Sequence, residues 1–317
     1  MGQHDPSKSK NTRFSNMICW HSDCGVTHKM PIRALSLIVV CLPLMAQLKI
    51  QSVNTGGGYL PGITRPGGIS IIFCTGLTGV SGVQNAAGFP LPAEIAGVRV
   101  IVNGLVAPLF SVADLGSYQQ INFQVPSLPD FTRAPILVTI VQSGNAAGFK
   151  LTDNPFNGYP ADFFRDSAGY GIVQHAADNS PVTPQSPARR GEVVIASATG
   201  MGAVEPPATM GSPAPQRPLS PVILYPGEQP AGLRVFFCQT GAQCQPTAAG
   251  FYTTALFAGL SPGTAGVYQI EFRIPDSAPL GDVELGVVRT YCYDAPCTLM
   301  SPFQQNFESL RVKLPIQ

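Results

Sequence analysis

The chain has 317 residues, with Lys+Arg 19 against Asp+Glu 18, a net charge of +1 and only 12% charged residues. A balance this close to neutral excludes a partner held by a basic field, so neither nucleic acid nor an anionic membrane surface is expected. Gly 33 and Pro 31 supply about one residue in five, which excludes a mostly helical body because both are costly inside helices. At about 150 residues per domain, the length predicts two domains.

Residues 1–46 are expected to be leader rather than fold. Ala34 to Met45 is an apolar run interrupted by Ser36, Cys41 and Pro43, preceded by Lys29 and Arg33 and followed by Ala46-Gln47. That order reads as a secretory signal peptide cut after Ala46. The run is shorter than the ~20 apolar residues a membrane span needs, so no span remains once the signal is removed. Upstream, Cys19, His21, Cys24 and His28 have a spacing that could ligate zinc on a compact loop. A long polar leader before a signal peptide is unusual, however, and Met30 is the expected start. Export places the chain in the extracellular space or at the cell surface, where cysteines oxidise.

From residue 47 onward the chain repeats itself. The first block, Pro66 to Leu77, aligns with Arg190 to Met201. The second, Gly97 to Gly104, has its counterpart in Gly232 to Phe237. The third, Tyr118 to Pro126, corresponds to Val267 to Pro275. Within the third, Ile121, Phe123 and Val125 alternate with Asn122 and Gln124, and Tyr268, Ile270, Phe272 and Ile274 alternate with Gln269, Glu271 and Arg273. A period of two places one set on one face of a strand. Further strands are expected at Ile136–Val141, Val283–Thr290 and Ser309–Leu314. Short strands with Gly and Pro between them indicate β-sandwiches. The expected fold is all-β: two tandem immunoglobulin-like β-sandwiches, residues 47–160 and 161–317. The second carries an exposed Pro-rich loop at 205–221, and the Asx-, Gly- and aromatic-rich stretch 154–187 is expected to pack between the copies.

These blocks resemble the uncharacterised paralogous C-terminal domain family of secreted acidobacterial proteins. The likeness rests on Pro66-Gly67 through Gly76-Leu77, Val98 to Gly104, Gln120 to Pro126, Pro187 to Gly202 and Gly266 to Pro275, and covers roughly residues 60–317. Glu192 stands for the family's Asp and Met201 for its Leu. More distantly, the Gly-rich opening strand resembles immunoglobulin-like, plexin and transcription-factor (IPT/TIG) domains. The resemblance implies export and an immunoglobulin-like fold, and it carries no established activity. The cysteines depart from the family pattern.

Five cysteines follow the leader. Cys238/Cys244 and Cys292/Cys297 are candidate staples, with cross-pairing between the two loops left open. Cys74, with the apolar neighbours Ile72 and Phe73, is expected to be a buried, inert thiol. His175 is the single histidine after the leader, with no Gly-x-Ser-x-Gly elbow anywhere, and is expected to be a plain surface residue. Asp153, Asn154, Asn157, Asp162 and Asp166 contain calcium-type oxygen ligands but are expected to be turn formers. Tyr159, Phe163, Phe164 and Tyr170 are the candidate ligand contacts. No catalytic residue, cofactor or metal is expected. The expected function is non-enzymatic binding or display toward a protein or glycan at the cell surface. The alternatives are an extracellular hydrolase or accessory module acting on polysaccharide or peptide, and a structural spacer.

Overall fold

The computed structural model describes residues 47–127, 135–152, 161–223, 228–241, 252–292 and 304–317. Every regular element among them is a strand. The first half contains β1 (Lys49–Thr55), β2 (Ile69–Thr75), β3 (Val83–Asn85), β4 (Val98–Val102), β5 (Leu105–Ala107), β6 (Leu109–Asp114), β7 (Gln119–Gln124), β8 (Ile136–Gln142) and β9 (Asn145–Leu151). The second half opens with β10 (Asp162–Phe163), β11 (Val173–His175), β12 (Val193–Thr199), β13 (Glu228–Gln239) and β14 (Tyr252–Thr254). It continues with β15 (Phe257–Leu260), β16 (Tyr268–Arg273), β17 (Gly281–Cys292), β18 (Gln304–Glu308) and β19 (Val312–Ile316).

Each half is a sandwich of two antiparallel sheets. The first pairs a sheet of order β1-β2-β7-β6-β3 with one of order β5-β4-β8-β9. The second pairs β10-β12-β16-β15, with β11 also on β12, against β14-β13-β17-β18, with β19 also on β17. The inward residues of each pair of sheets form one core. In the first, Ile72, Ile121 and Phe123 meet Val98, Val100, Val138 and Ile140. In the second, Val194, Ile270 and Phe272 meet Val235, Phe237, Val283 and Leu285. The Phe237 and Phe272 rings lie 5.8 Å apart across the two sheets. Burying a large side chain is worth roughly 1.5–3 kcal/mol, so these alternating strands are locked in phase.

The sequence repeat is also a repeat of register. Ile69, Ile71 and Phe73 face Gln124, Asn122 and Gln120 across β2 and β7. Val193, Ile195 and Ser197 face Arg273, Glu271 and Gln269 across β12 and β16. Aligned residues therefore stand opposite aligned residues in both copies.

The two sandwiches belong to one compact unit and meet through backbone. A Cβ on Gly68 would lie 2.7 Å from the Gly200 Cα, so only glycine allows this approach. Around that contact the Ile69 amide donates to the Thr199 hydroxyl (2.8 Å), which donates in turn to the Gly266 carbonyl (2.7 Å). The Gln124 amide spans the seam, donating to the Gly67 carbonyl (3.0 Å) and accepting from the Gly211 amide (2.7 Å).

The loop 205–221 exposes five of its six prolines, as expected, but it is fastened at buried points. Gly211, Ala214 and Ser220 are buried. The Leu91 amide of the first sandwich donates to the Gly211 carbonyl, and the Ala214 amide to Thr264. Its backbone groups find partners on both sandwiches, which holds a segment that lacks strand pairing of its own length.

Cys74 sits fully buried in β2, and its thiol is pushed up to about 12 by burial. It is expected to resist alkylation by iodoacetamide at pH 8 in the native protein and to react once the protein is unfolded in guanidinium. Mass spectrometry before and after unfolding checks this, and prompt native labelling would contradict the buried site.

Candidate functional site

The sheet β1-β2-β7-β6-β3 carries a set of three rings, the exposed Tyr59 and Tyr118 and the half-buried Phe73. Cross-strand pairing arranges the residues that point away from the core in two rows, of which Asn54, Ile71, Ser111 and Ala113 are buried. One row runs Ser52, Phe73, Gln120, Ala113, Val83, and the next runs Asn54, Ile71, Asn122, Ser111, Asn85. None of these side chains is ionisable. The amides are tied together: Gln120 Nε2 donates to Asn122 Oδ1 (2.8 Å), and Asn122 Nδ2 donates to Ser111 Oγ (3.0 Å). Phe73 is flanked by Tyr59, stacked at 6.5 Å and 28°, and by Tyr118, edge-on at 5.5 Å and 73°. Tyr59 is 52% exposed and Tyr118 37% exposed.

Tyr59 ends a Gly56-Gly57-Gly58 turn and has a φ of +58°. For a bulky side chain this left-handed conformation is strained, and it persists only where its surroundings enforce it. They do so here. The Asp162 carboxylate, from the second sandwich, accepts the Gly57 amide at 2.7 Å and the Gly58 amide at 3.0 Å. Arg165 Nη2 donates to the Gly58 carbonyl at 2.6 Å, and Asn54 Nδ2 to the Tyr59 carbonyl at 2.8 Å. Asp162 is buried, and burial raises its pKa against the lowering effect of the Gly58, Thr55 and Gly57 hydrogen bonds and of Arg165.

The residues singled out from the sequence fall elsewhere. Asp162 is neither a turn former nor a cation ligand but this cross-sandwich clamp. Asp166 is a turn former, accepting the Ala168 and Tyr170 amides at 2.9 Å. Asp153, Asn154, Asn157 and Tyr159 lie outside the described residues, among which no cluster of metal-ligating side chains occurs. Phe163 is a correction: its ring is buried in the second core and presents no face to a ligand. Phe164 and Tyr170 are half-buried, and Tyr170 donates its hydroxyl to Asp282 (2.8 Å) beneath the Lys313 ammonium. Cys238 is buried in β13. Cys244 and Cys297 lie outside the described residues, as does the side chain of Cys292, so the staple pairings rest outside them too.

His175 is also a correction, because it is not a plain surface residue. Its Nδ1 meets the Glu192 carboxylate, and its Nε2 lies 3.2 Å from the Ser186 carbonyl and 3.3 Å from the Ser186 hydroxyl. Glu192 also accepts the Arg189 amide at 2.8 Å. The cluster closes the segment between β11 and β12 onto itself. Removing Glu192 leaves the imidazole and an amide without their acceptor, so Glu192→Ala is expected to destabilise the fold by about 1–3 kcal/mol, read as a lowered urea midpoint. No change in midpoint would show that the cluster is not a fastening. Sequence spacing hid the group, since Ser186, His175 and Glu192 match no motif.

Comparison with known proteins is sparse. No family model matches the chain, and no curated protein matches it. Among solved structures, the tandem Ig repeats of Dlar align at 13% identity with a TM-score of 0.19, covering 86% of this chain and 98% of that one. An endo-fucoidan hydrolase from glycoside hydrolase family 107 aligns at 10% identity with a TM-score of 0.14, covering 84% of this chain and 29% of that one. The all-β, tandem immunoglobulin-like architecture is carried by the sheets and cores themselves. Among the described residues, no helix is long and apolar enough to cross a membrane.

Proposed function

We propose that the chain is an exported, non-enzymatic binding module that presents the outer face of the β1-β2-β7-β6-β3 sheet to a ligand at the cell surface. The observation that carries this reading is the clamped, strained and exposed Tyr59 beside Phe73 and Tyr118. Strain of that kind gathers where a surface is held ready for a ligand. Export is supported by the signal-like leader and by the resemblance to a secreted acidobacterial family. Mass spectrometry of the protein recovered from the producing cells tests it. A mature N-terminus at Gln47 in the culture medium or envelope fraction is expected, and an intact leader in the cytosol would overturn export. Binding is tested by labelling the full chain and measuring its retention on isolated cell envelopes and on glycan and protein arrays. Retention that Tyr59→Ala reduces is expected, and no retention on any surface would overturn the binding reading.

A hydrolase is the second reading, favoured by the contact of Ser186, His175 and Glu192. Nucleophile, base and carboxylate stand in the order of a hydrolytic triad. Yet Nε2 lies as near the Ser186 carbonyl as its hydroxyl, and Ser186 is exposed on a tight turn. That turn offers no sheltered cleft in which an oxyanion would gain from preorganised donors. Incubation with p-nitrophenyl acetate is expected to show no turnover above buffer. Turnover by the full chain that Ser186→Ala abolishes would overturn the non-enzymatic reading.

A further inference from the structure

Building on the binding reading above, we propose that the Tyr59–Phe73–Tyr118 face takes a neutral polysaccharide, its sugar rings laid on the aromatic rings and its hydroxyls met by Gln120, Asn122 and Asn85. The chemistry of the two rows selects this class. A pyranose ring offers an apolar C–H face and an edge of uncharged hydroxyls. The sheet offers the complement: exposed ring surface, and amides and hydroxyls that both donate and accept. The two rows hold no ionisable side chain, and the cations nearest them are the exposed Lys49, opposite Thr75 at the next outward register, and Arg165, on the Gly58 carbonyl. A single-stranded nucleic acid also stacks on rings but needs a basic groove for its backbone, which two isolated cations do not make.

Two near-parallel rings, Tyr59 and Phe73, with Tyr118 set edge-on beside Phe73, at centroid spacings of 6.5 Å and 5.5 Å, offer more ring surface than a single sugar covers. A fixed platform also keeps the ordering cost of binding low. The polar row is likewise prearranged by its own hydrogen bonds from Gln120 to Asn122 to Ser111.

The second copy acts as an internal comparison. At the same register it places Ser197 where the first has Phe73, and Glu271 and Arg273 where the first has Asn122 and Gln124. The ring is gone and charges have entered, so the rings and the neutrality of the first copy are not simply what this sheet requires in order to fold. The site is assigned to the first copy alone.

Affinity electrophoresis of the full chain tests the proposal, in gels containing neutral polysaccharides (β-glucan, mannan, galactan) or acidic ones (polygalacturonate, a sulfated fucan). Tyr59→Ala, Tyr118→Ala and, as a control on the opposite sheet, the exposed Leu137→Ala accompany the native protein, each checked for an unchanged thermal midpoint. Retardation by at least one neutral polysaccharide is expected, weakened roughly tenfold or more by either tyrosine substitution and unchanged in Leu137→Ala. Neutral retardation that survives both tyrosine substitutions would overturn the platform. Retention only on acidic polysaccharides or on protein, lost with the tyrosines, would overturn the ligand class while leaving the binding reading intact. Absence of retention on any of these or on cell envelopes would overturn both.

Discussion

Asp162→Ala is expected to be among the most damaging single substitutions in the described chain. The wild-type carboxylate is buried and holds the Gly57 and Gly58 amides from across the seam. Its loss strands both donors in a dry site, at about 1–3 kcal/mol for each, and leaves the Arg165 guanidinium without the charge that faces it. Urea denaturation at pH 7 measures the loss directly, and a midpoint equal to wild type would refute the clamp. The pH dependence follows from the direction of the shift. Because burial raises the folded pKa above the ordinary 3.8, the folded state holds this proton more tightly than the unfolded chain. The resulting stability is fully present below the ordinary value and is lost as pH rises through the raised one. Asp162→Asn removes that segment of the pH–stability profile, so the difference between the two profiles should flatten above it. Asn keeps one carbonyl oxygen for the two amides but loses the second acceptor that Gly58 also uses, and a residual destabilisation is expected at every pH.

The second large effect is expected from Gly68→Ala. The added methyl would sit 2.7 Å from the Gly200 Cα and 2.8 Å from the Gly200 nitrogen. Both are backbone atoms, so no side-chain rotation relieves the overlap and the sandwiches must move apart. Overpacking of this kind costs typically about 1–3 kcal/mol, and here it also stretches the Ile69–Thr199–Gly266 hydrogen bonds. Gly88→Ala is the control, since a Cβ there meets nothing within 4 Å, and it should stay within about 0.5 kcal/mol of wild type. Equal midpoints for the two variants would show that the close approach does not exist in solution.

The sandwich strands were legible because burial on one face writes a period of two into the chain. Ile121, Phe123 and Val125, and Tyr268, Ile270, Phe272 and Ile274, all turn inward as their alternation implies. Cys74 was legible for a related reason, Ile72 and Phe73 preceding it in an apolar strand. The candidate face was not legible, because it is assembled across strands. Tyr59, Phe73 and Tyr118 are separated by stretches of chain that say nothing of their meeting. The Gly-Gly-Gly-Tyr turn reads as a loop until a carboxylate 105 residues away is found holding it. Phe163 misled for the converse reason: a polar, Asx-rich neighbourhood suggested a surface ring, but pairing of β10 with β12 draws it into the core. His175 and Glu192 lie 17 residues apart, a separation that only the return of the chain from β11 to β12 brings together.

The clamp at Asp162 bears on how freely this protein's parts can be exchanged. A fragment ending before residue 161 would carry all three rings yet leave behind the acid that secures one of them. Grafted onto a foreign scaffold, it would present a slack Tyr59 and recognise its target poorly. The rear half is thus a fitting that must travel with the front one, which ties the inheritance of the two copies together even though one alone carries the three rings.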